Sequence, residues 1–334
     1  MAIRKIKSYS AFEIQTRIET LYDKGLISGV STGFDTLDEN ITVKRGTTFT
    51  LFGQPGSGKT EFWLEVLVNL TERFGWRHMI YSPESGSSED LAAEIISKKF
   101  RRPFHSTIPG HISESEMYHG IAWCQEYFRF VDPVESDATV EDFIFEVNNQ
   151  QDNFHPTTTL IDPWNELRHD LSHFGGRQDL YLDEKLSLLR RDAINNGRVN
   201  CVVTHVQDQQ VQFKDGIRYY PEPTPREIAG GQSFHRKGMN MIGIWRPPFG
   251  LKDEDGIPYR DNEVHIKVHK YKPKGTGKRG KKIFFYDFKS NSYYADTNNG
   301  QCFSSRSEPD KRIPDTTQTP RTTAKGVESD KLPF

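Results

Sequence analysis

Short apolar runs alternate with segments of helical periodicity over most of this chain, from residue 47 onward. The runs with strand character lie at 47–52, 78–82, 127–132, 157–162, 199–204, 239–245, 264–269 and 283–288. Segments whose apolar side chains repeat at helical spacing lie between them, at 61–74, 89–100, 113–124, 139–151 and 178–196. Strands that alternate with helices are typical of a mostly parallel, twisted sheet flanked by helices. The pattern therefore predicts an α/β fold.

The two ends of the chain differ from this pattern. Residues 9–25 predict an amphipathic helix that begins at Ser10 as N-cap and stops at Gly25. This helix either folds back on its own domain or docks on a neighbouring subunit. Residues 296–334 are polar and nearly lack aliphatic side chains, which is typical of a disordered tail. We therefore divide the chain into three parts: an N-terminal linker helix (1–28), a central domain (29–295) and a tail (296–334).

The composition of the 334 residues narrows the class of protein. Only 34% are hydrophobic, the mean hydropathy is −0.71, and no uncharged apolar stretch approaches the roughly 18–20 residues of a membrane span. Met1 to Lys5 is not followed by the apolar segment of a signal peptide. The three cysteines form no disulfide or zinc pattern. We therefore expect a protein of the reducing cytoplasm that is neither secreted nor bound to a membrane.

Charge is balanced overall but uneven along the chain. Lys and Arg number 44 against 46 Asp and Glu. Between Arg260 and Lys282, however, nine Lys and Arg stand against two acids. An anionic partner is therefore expected to bind locally, since the chain as a whole has no strong field.

A glycine-rich segment lies between the first predicted strand and the helix that follows it. It matches the pattern GxxxxGK[ST] and consists of Gly53, Gln54, Pro55, Gly56, Ser57, Gly58, Lys59 and Thr60. The glycines let backbone N–H groups turn toward a phosphate, and the helix directs its positive end at the same anion. Lys59 would bind the β- and γ-phosphates, and Thr60 would contact Mg²⁺. The segment predicts an NTP-binding protein that uses Mg²⁺.

Three polar residues near the ends of predicted strands complete a candidate hydrolytic site. Asp162 ends an apolar run, the Walker B pattern, and would bind the water shell of Mg²⁺. Glu84 follows the second strand and is the candidate base for the attacking water, and His205 follows a later strand as a candidate sensor of the γ-phosphate. An exposed turn glutamate and a solvated histidine are the alternative interpretations. Parallel strands end at one sheet edge, so we expect all three beside Lys59.

The order of these pieces resembles the RecA-like motor domain of hexameric replicative DNA helicases, the DnaB and Twinkle group. The likeness covers about residues 29–294, nearly the whole central domain. Its motifs lie at 29–38, 82–84, 161–166 and 227–237. The first and last are the more discriminating, because phosphate loops occur in very many NTPases. The resemblance implies an ATP hydrolase of phage or mobile-element type, in the host cytoplasm if encoded by a phage.

The resemblance also implies a ring-shaped homo-oligomer, a hexamer in this group, that translocates on single-stranded DNA and unwinds duplex DNA. Its active sites would lie between subunits, and the helix at 9–25 would dock on the adjacent subunit. In the group, a lysine and, two residues later, an arginine reach the γ-phosphate bound by the neighbour. The matching residues here are Lys270 and Lys272. A lysine thus stands where the arginine finger is expected, and it supplies charge without a planar fork.

The resemblance also implies that the segment 206–238 faces the central channel of the ring, where the DNA would bind. Residues 206–225 are polar and irregular in pattern, and they mix cations with aromatic rings, which suits phosphates and stacked bases. A flexible surface loop is the alternative. The candidate DNA-binding residues are Lys214, Arg218, Arg226, Gly230, Gly231, Arg236 and Lys237.

Residues 328–334 resemble the acidic Pro-Phe tip of bacterial single-stranded-DNA-binding proteins. This likeness implies docking on a primase, a loader or another replication protein. Two other functions stay open at this point. One is a RecA/RadA-like recombination or annealing ATPase that forms filaments on single-stranded DNA. The other is a loader or packaging accessory ATPase that binds protein instead of DNA.

Overall fold

One ten-stranded sheet organises the protein in the computed structural model, which describes residues 8–25, 28–132, 138–207, 209–297 and 300–303. Its strands are β1 (Thr47–Gly53), β2 (His78–Tyr81), β3 (Phe128–Phe130), β4 (Thr158–Ile161), β5 (Val199–His205), β8 (Asn240–Trp245), β9 (Glu263–Lys270), β10 (Gly280–Asp287), β11 (Ser292–Thr297) and β12 (Gly300–Phe303). A separate hairpin consists of β6 (Gln212–Lys214) and β7 (Ile217–Tyr219).

Eight α-helices accompany the strands in the described residues, besides four 3₁₀ turns. They are α1 (Gln15–Lys24), α2 (Asp35–Asp38), α3 (Lys59–Phe74), α4 (Ser88–Phe100), α5 (Glu114–Tyr127), α6 (Val140–Asn149), α7 (Gln178–Asn196) and α8 (Gly231–Lys237). Within the part of the chain that the structure describes, none of them is both long and apolar enough to cross a bilayer.

The centre of the sheet is parallel, as the alternation of strands and helices predicts. The strand order is β12-β11-β10-β9-β8-β1-β5-β4-β2-β3, and all pairs from β8 to β3 are parallel. β1 lies in the middle and all seven of its residues are buried. It pairs with β5 from Thr47 opposite Val199 to Gly53 opposite His205, so the two strands end at the same level. Each of the predicted strands and helices from residue 47 onward is present, with ends shifted by a few residues.

Helices cover both faces of the sheet. Successive residues of a strand point to opposite faces. Accordingly, Phe49 and Leu51 belong to a core cluster formed with α3, α4 and α5, whereas Phe52 belongs to a second cluster formed with α6, α7 and α8. A sheet with both faces covered explains why the strands are almost continuously apolar.

The four strands beyond β8 form an antiparallel extension. β9, β10, β11 and β12 pair in sequence, each antiparallel to the one before. This pairing continues to Phe303, past residue 295, where the composition predicts the domain to end. Main-chain hydrogen bonds build the ladder, so a polar composition does not by itself end the sheet. Residues 304–334, including the candidate tip at 328–334, lie outside the described residues.

The N-terminal helix is shorter than predicted. α1 begins at Gln15 and is preceded by turns at 11–14. Ser10 still makes the reciprocal bonds of an N-cap: its N–H donates to Glu13 Oε2 at 2.7 Å, and the Glu13 N–H donates to Ser10 Oγ at 3.3 Å. No side chain of α1 is buried. Ile18, Leu21 and Tyr22 are exposed, so the apolar side of this helix has no cover within the described part of the chain.

The segment 206–238 is more regular than predicted. Within residues 206–225, whose sequence pattern is polar and irregular, residues 212–219 form a hairpin of β6 and β7. Its two-residue turn is Asp215-Gly216, with φ of +53° and +78°. An Asp-Gly pair is a strong signal for such a turn, but strands of three exposed or half-buried residues give little periodicity. The motif at 227–237 ends in helix α8.

Candidate functional site

The phosphate loop joins the buried end of β1 to the first turn of α3. Gly58 is the N-cap of α3 and has a φ of +86°, a left-handed conformation that suits glycine. A Cβ at Gly53 would lie 2.3 Å from the Ile244 carbonyl oxygen. The turn therefore closes only without a side chain at that position, and contact with β8 fixes its shape.

The side chain of Lys59 points back into the phosphate loop. Its side chain is buried, and Nζ donates to the Gln54 carbonyl at 2.9 Å and to the Gly53 carbonyl at 3.3 Å. Burial lowers the pKa of Lys59 to about 8, and the nearby carboxylates of Asp162 and Glu84 oppose that shift. The ammonium is thus held in the concave side of the loop, where a phosphate would replace weak carbonyl partners.

Asp162, the Walker B residue, lies beside Lys59 and Thr60, the first two residues of α3. Asp162 is 3% exposed, and burial raises its pKa to about 6, while hydrogen bonds from Thr60 and Ser82 oppose the rise. Its Oδ2 atom is buried and has no hydrogen-bond partner among the described residues. Oxygen donors of this kind suit Mg²⁺, which keeps several of its waters. Thr60 and the orphaned oxygen of Asp162 therefore fit the predicted magnesium site.

The candidate base and the candidate sensor contact each other. Glu84 lies in a single helical turn, Pro83–Ser85, directly after β2, and His205 is the last residue of β5. Glu84 Oε2 and His205 Nε2 are 3.3 Å apart. Burial and the charge of Lys59 lower the pKa of His205, and Glu84 opposes them. The half-exposed Glu84 carboxylate and its partner His205 thus both lie near Lys59 of the phosphate loop. A glutamate merely exposed in a turn, or a histidine merely solvated, would not require this position.

We name Lys59, Thr60, Glu84, Asp162 and His205 the carboxyl-edge site. The structure brings all five together at the ends of β1, β2, β4 and β5, as the topology of a parallel sheet requires. A cavity of about 370 Å³ opens beside this site. It is lined by the phosphate loop, by the end of the hairpin and by the chain after β8, including Arg218, Tyr219, Tyr220, Trp245, Arg246 and Phe249.

Lys270 and Lys272 lie elsewhere. β9 is antiparallel to β8, so Lys270 pairs with Met241 near the start of β8, two strands away from β1. With about 4.8 Å between strands and about 3.3 Å per residue, its backbone lies roughly 14 Å from the end of β1. The Lys270 ammonium donates to the His235 carbonyl of α8. The resemblance assigns both lysines to the phosphate bound by a neighbouring subunit, and that role stays a prediction.

Four cations and one histidine gather around α8, and we name them the basic cluster. Burial lowers the pKa of His235, and the charges of Lys270, Arg279, Arg226 and Lys272 lower it further. Burial, followed by the charges of Lys272 and Arg190, lowers the pKa of Lys270 to about 8. The structure thus places Arg226, a candidate DNA-binding residue, with the residues expected to act on a neighbour. His235 and Arg279 belong to the same cluster; the sequence placed them in the motif at 227–237 and in the basic run from Arg260 to Lys282, but gave neither of them a role of its own.

Three of the four remaining candidate DNA-binding cations, Lys214, Arg236 and Lys237, have partners among the described residues. Arg236 Nη2 lies 3.1 Å from Asp183 Oδ1 of α7, and Lys237 Nζ lies 4.0 Å from the same carboxylate. Lys214 donates to the carbonyls of residues 252 and 253 at 2.8 and 3.1 Å. Arg218 is exposed at the rim of the cavity. These ion pairs are solvent-exposed and therefore weak enough to exchange for a phosphate.

Close packing around α8 requires glycine at positions 230 and 231, and the sequence alone does not reveal this. A Cβ at Gly230 would lie 2.1 Å from Leu182 Cδ1, and one at Gly231 would lie 2.4 Å from the Pro225 carbonyl oxygen. The pair therefore lets α8 pack closely on α7 and on the preceding turn. Packing explains both glycines without a phosphate contact.

Sequence reasoning also missed a link between the phosphate loop and the segment 206–238. The Gln54 side chain donates from Nε2 to Gln209 Oε1 at 2.7 Å. Gln209 is buried, although its neighbours in sequence are polar. No sequence signal distinguishes this glutamine from the others in the segment, since the contact depends on how β5 and the phosphate loop end at one edge.

Comparison with known proteins places this fold. No family model matches the chain. The Twinkle homolog protein, chloroplastic/mitochondrial, of Arabidopsis thaliana is 27% identical over 283 residues, which is 83% of this chain. The chain spans only 38% of the length of that relative.

Two solved structures have the same fold. The first is an ATPase domain, which superposes with a TM-score of 0.68 at 16% identity, over 86% of this chain and 99% of that one. The second is a DnaB-like replicative helicase, solved to show its interactions with primase. It superposes with a TM-score of 0.64 at 16% identity, over 86% of this chain and 67% of that one. The predicted RecA-like fold and the resemblance to the motor domains of the DnaB and Twinkle group are thereby confirmed.

Proposed function

We propose that this protein is an ATP-hydrolysing motor that translocates along single-stranded DNA and unwinds duplex DNA as a ring-shaped oligomer, in the manner of a replicative DNA helicase. The observation that carries the proposal is the carboxyl-edge site on a RecA-like sheet. Its lysine, hydroxyl, two carboxylates and histidine lie together at one sheet edge, which supports binding and cleavage of an NTP there. The likeness to the Twinkle homolog and to the fold of a DnaB-like replicative helicase supports a helicase, and DNA as the polymer is what the resemblance implies.

Hydrolysis follows from the contacts of the carboxyl-edge site. Lys59 exchanges the Gln54 and Gly53 carbonyls for the β- and γ-phosphates of ATP. Thr60 and Asp162 would hold Mg²⁺, which neutralises phosphate charge when bound. Glu84 takes a proton from the attacking water, whose oxygen bonds to the γ-phosphorus as the bond to the β-phosphate oxygen breaks. His205, in contact with Glu84, registers whether the γ-phosphate is present.

The nucleoside of ATP would enter the cavity beside the phosphate loop. A volume of about 370 Å³ lies within the usual range of ligand pockets. Its aromatic and proline side chains offer apolar surfaces to a base, and Arg246 lies 5.7 Å from the ring centroid of Phe288 at one side. The cavity suits a nucleoside of any base, and we propose ATP as the substrate because the resemblance implies it.

A ring completes the active site from a second subunit. The basic cluster lies too far from its own phosphate loop to serve it, so we propose that Lys270 and Lys272 act on ATP held by the neighbour. Six subunits are the number implied by the resemblance. The exposed apolar side of α1 would dock on the adjacent subunit, because burial of such side chains is favourable and none is buried within its own chain.

DNA would contact the segment 206–238, with Lys214, Arg218, Arg226, Arg236 and Lys237 as phosphate-binding cations. Each of them is exposed or half-buried. We further propose that the tail contacts a primase, a loader or another replication protein, and that the protein acts in the cytoplasm.

The proposal is tested by steady-state ATP hydrolysis with and without single-stranded DNA. We expect stimulation by DNA in the parent and, because Lys59 is the residue that binds the phosphates, loss of hydrolysis in Lys59→Ala. Lys289→Ala, which removes an exposed lysine between β10 and β11, is the control. A fork-unwinding assay and negative-stain images follow. Turnover that ignores DNA would favour a protein-binding ATPase, and filaments with strand exchange would favour a recombinase.

A further inference from the structure

Gln54 makes two contacts that join different parts of the protein. Its carbonyl accepts the hydrogen bond from Lys59 Nζ at 2.9 Å. Its side-chain amide donates to Gln209 Oε1 at 2.7 Å. One residue of the phosphate loop is therefore bonded both to the lysine that would bind ATP and to the segment 206–238.

Gln209 extends this connection. Its Nε2 atom donates to the Pro221 carbonyl at 2.6 Å and lies 3.5 Å from Glu227 Oε2. The same carboxylate oxygen accepts the Thr224 N–H at 2.6 Å, and the Glu227 carbonyl accepts the Gln207 N–H at 2.9 Å. Gln209 thus holds the chain after the β6–β7 hairpin and the turn before α8 in one arrangement.

The residue types fix the direction of this chain of hydrogen bonds. A carbonyl and a carboxylate only accept, so the amide nitrogen of Gln209 must face Pro221 and Glu227. Its oxygen then faces Gln54, which must donate. If the Gln209 amide were reversed, its oxygen would face the oxygens of Pro221 and Glu227, and its nitrogen would face the donor nitrogen of Gln54. The arrangement therefore has one low-energy form, as a positioning device requires.

We propose that Gln54 and Gln209 couple the phosphate loop to the polymer-facing segment, an inference that rests on the proposed function. When Lys59 turns to a phosphate, the Gln54 carbonyl loses its ammonium partner and this part of the loop shifts. Gln209 passes the shift to residues 221–227. Both glutamines are positioning residues in this role, and the connection is separate from the contact between Glu84 and His205.

The segment has other attachments, so its fold does not depend on this link. Residues Val206 and Ile228 form an antiparallel bridge. Trp245 Nε1 donates to the Tyr220 carbonyl at 2.8 Å. Loss of the Gln54 to Gln209 bond should therefore leave the segment folded while it releases the segment from the phosphate loop.

The test compares the parent with Gln209→Met, which keeps the side-chain length and removes every hydrogen bond, and with Gln209→Ala. Gln125→Ala, an exposed glutamine of α5, is the control. Hydrolysis is measured with and without single-stranded DNA, together with nucleotide affinity and thermal unfolding. We expect the basal rate and nucleotide affinity of both Gln209 variants to stay within about twofold of the parent, while the DNA stimulation ratio falls at least about fivefold.

A double-mutant cycle with Gln54→Ala then isolates the pair. Gln54→Ala changes the phosphate loop itself, so its basal rate is expected to fall. If the glutamines act together, adding Gln209→Met to Gln54→Ala reduces the stimulation ratio no further. An unchanged ratio in both Gln209 variants would overturn the coupling, as would equal loss of the basal and stimulated rates. A parent that shows no DNA stimulation would overturn the proposed function instead, and the coupling with it.

Discussion

The carboxyl-edge site and the basic cluster hold charged side chains in opposite ways. At the carboxyl edge, Lys59 and Asp162 are 5% and 3% exposed, and cations lie among carboxylates of the same chain. In the basic cluster the charges that act most strongly on His235 are all positive, and its side chains are exposed or half-buried. The first site is nearly complete within one chain, whereas the second has positive charge that an external anion would balance.

A buried network behind the carboxyl edge explains part of this difference. Lys98 of α4 is fully buried and bonds Glu61 Oε2 at 2.5 Å, and Tyr286 of β10 donates to the same oxygen at 3.1 Å. The Tyr293 hydroxyl donates to the Gly58 carbonyl at 3.1 Å. These contacts fix the start of α3 and hence the phosphate loop. No comparable buried bonds involve the side chain of Lys272 in the described residues, so we expect Lys272 to tolerate substitution without unfolding.

The largest effect should come from the candidate base. Glu84→Gln removes the proton acceptor but keeps a polar side chain beside His205, so we expect kcat to fall by about 10²–10⁴. Nucleotide affinity should remain close to that of the parent, because Glu84 does not belong to the phosphate loop. Single-turnover hydrolysis and equilibrium nucleotide binding separate the two effects. A kcat within about twofold of the parent would show that another residue activates the water.

A smaller effect is expected at the basic cluster. Lys272→Ala should lower kcat at least about tenfold without changing nucleotide affinity or thermal stability, because the lost charge acts only on a neighbour's ATP. Lys272→Arg should retain or exceed the parent rate, since a guanidinium provides charge together with a planar fork. The check is DNA-stimulated ATPase with a melting curve for each variant. If Lys272→Ala also unfolds the protein, the basic cluster is structural, and the stated difference between it and the carboxyl-edge site is wrong.

The buried network should make stability depend on pH. Burial and the nearby Glu61 raise the pKa of Glu94 to about 8 from an ordinary value of 4.5. Between these values the unfolded carboxyl ionises while the folded one keeps its proton. The folded state then binds more protons, so stability falls as pH rises, by up to about 1.4 kcal/mol per pH unit.

Glu94→Gln cannot ionise and should lack this slope. Urea unfolding at about pH 5 and about pH 8 measures the change in the free energy of unfolding with pH. We expect the variant to gain stability relative to the parent at about pH 8. Glu89→Gln, on the exposed part of α4, should follow the parent. Parallel pH curves for the parent and Glu94→Gln would contradict the protonated carboxyl.

The smallest effect concerns the exposed ion pair of the polymer-facing segment. Arg236→Ala should change the free energy of unfolding by less than about 1 kcal/mol, because its bond to Asp183 is exposed. If Arg236 binds a phosphate, affinity for single-stranded DNA should fall for all base sequences alike and the salt slope should decrease by about one. Affinity measured across a salt series decides this. An unchanged slope would remove Arg236 from the DNA contacts.

The two regions also differ in how far the sequence reveals them. The carboxyl-edge site could be predicted because β1, β2, β4 and β5 are apolar runs that end in polar residues, and parallel strands bring such ends together. Asp162 and His205 follow from this rule alone. The strands and helices from residue 47 onward were predictable for the same reason, since both sheet faces are buried and the apolar periodicity is strong.

Contacts between distant polar side chains could not be predicted. Gln54 and Gln209 are 155 residues apart, and Arg279 joins Lys270 only because β9 and β10 form a hairpin. β12 and the end of β11 escaped prediction because residues 296–303 are mostly polar and carry no apolar periodicity, while pairing needs only main-chain groups. The β6–β7 hairpin was overlooked although Asp215-Gly216 signals it, because its exposed residues carry no apolar pattern.

In the proposed ring, the basic cluster of one subunit completes the carboxyl-edge site of another. The direct measurement mixes two inactive proteins, Lys59→Ala and the double variant Lys270→Ala/Lys272→Ala, and records DNA-stimulated ATP hydrolysis. Native mass spectrometry confirms that mixed oligomers form. In a random mixture about a quarter of interfaces unite an intact phosphate loop with an intact basic cluster, so activity should rise well above the sum of the two proteins. Mixed oligomers no more active than that sum would contradict the claim.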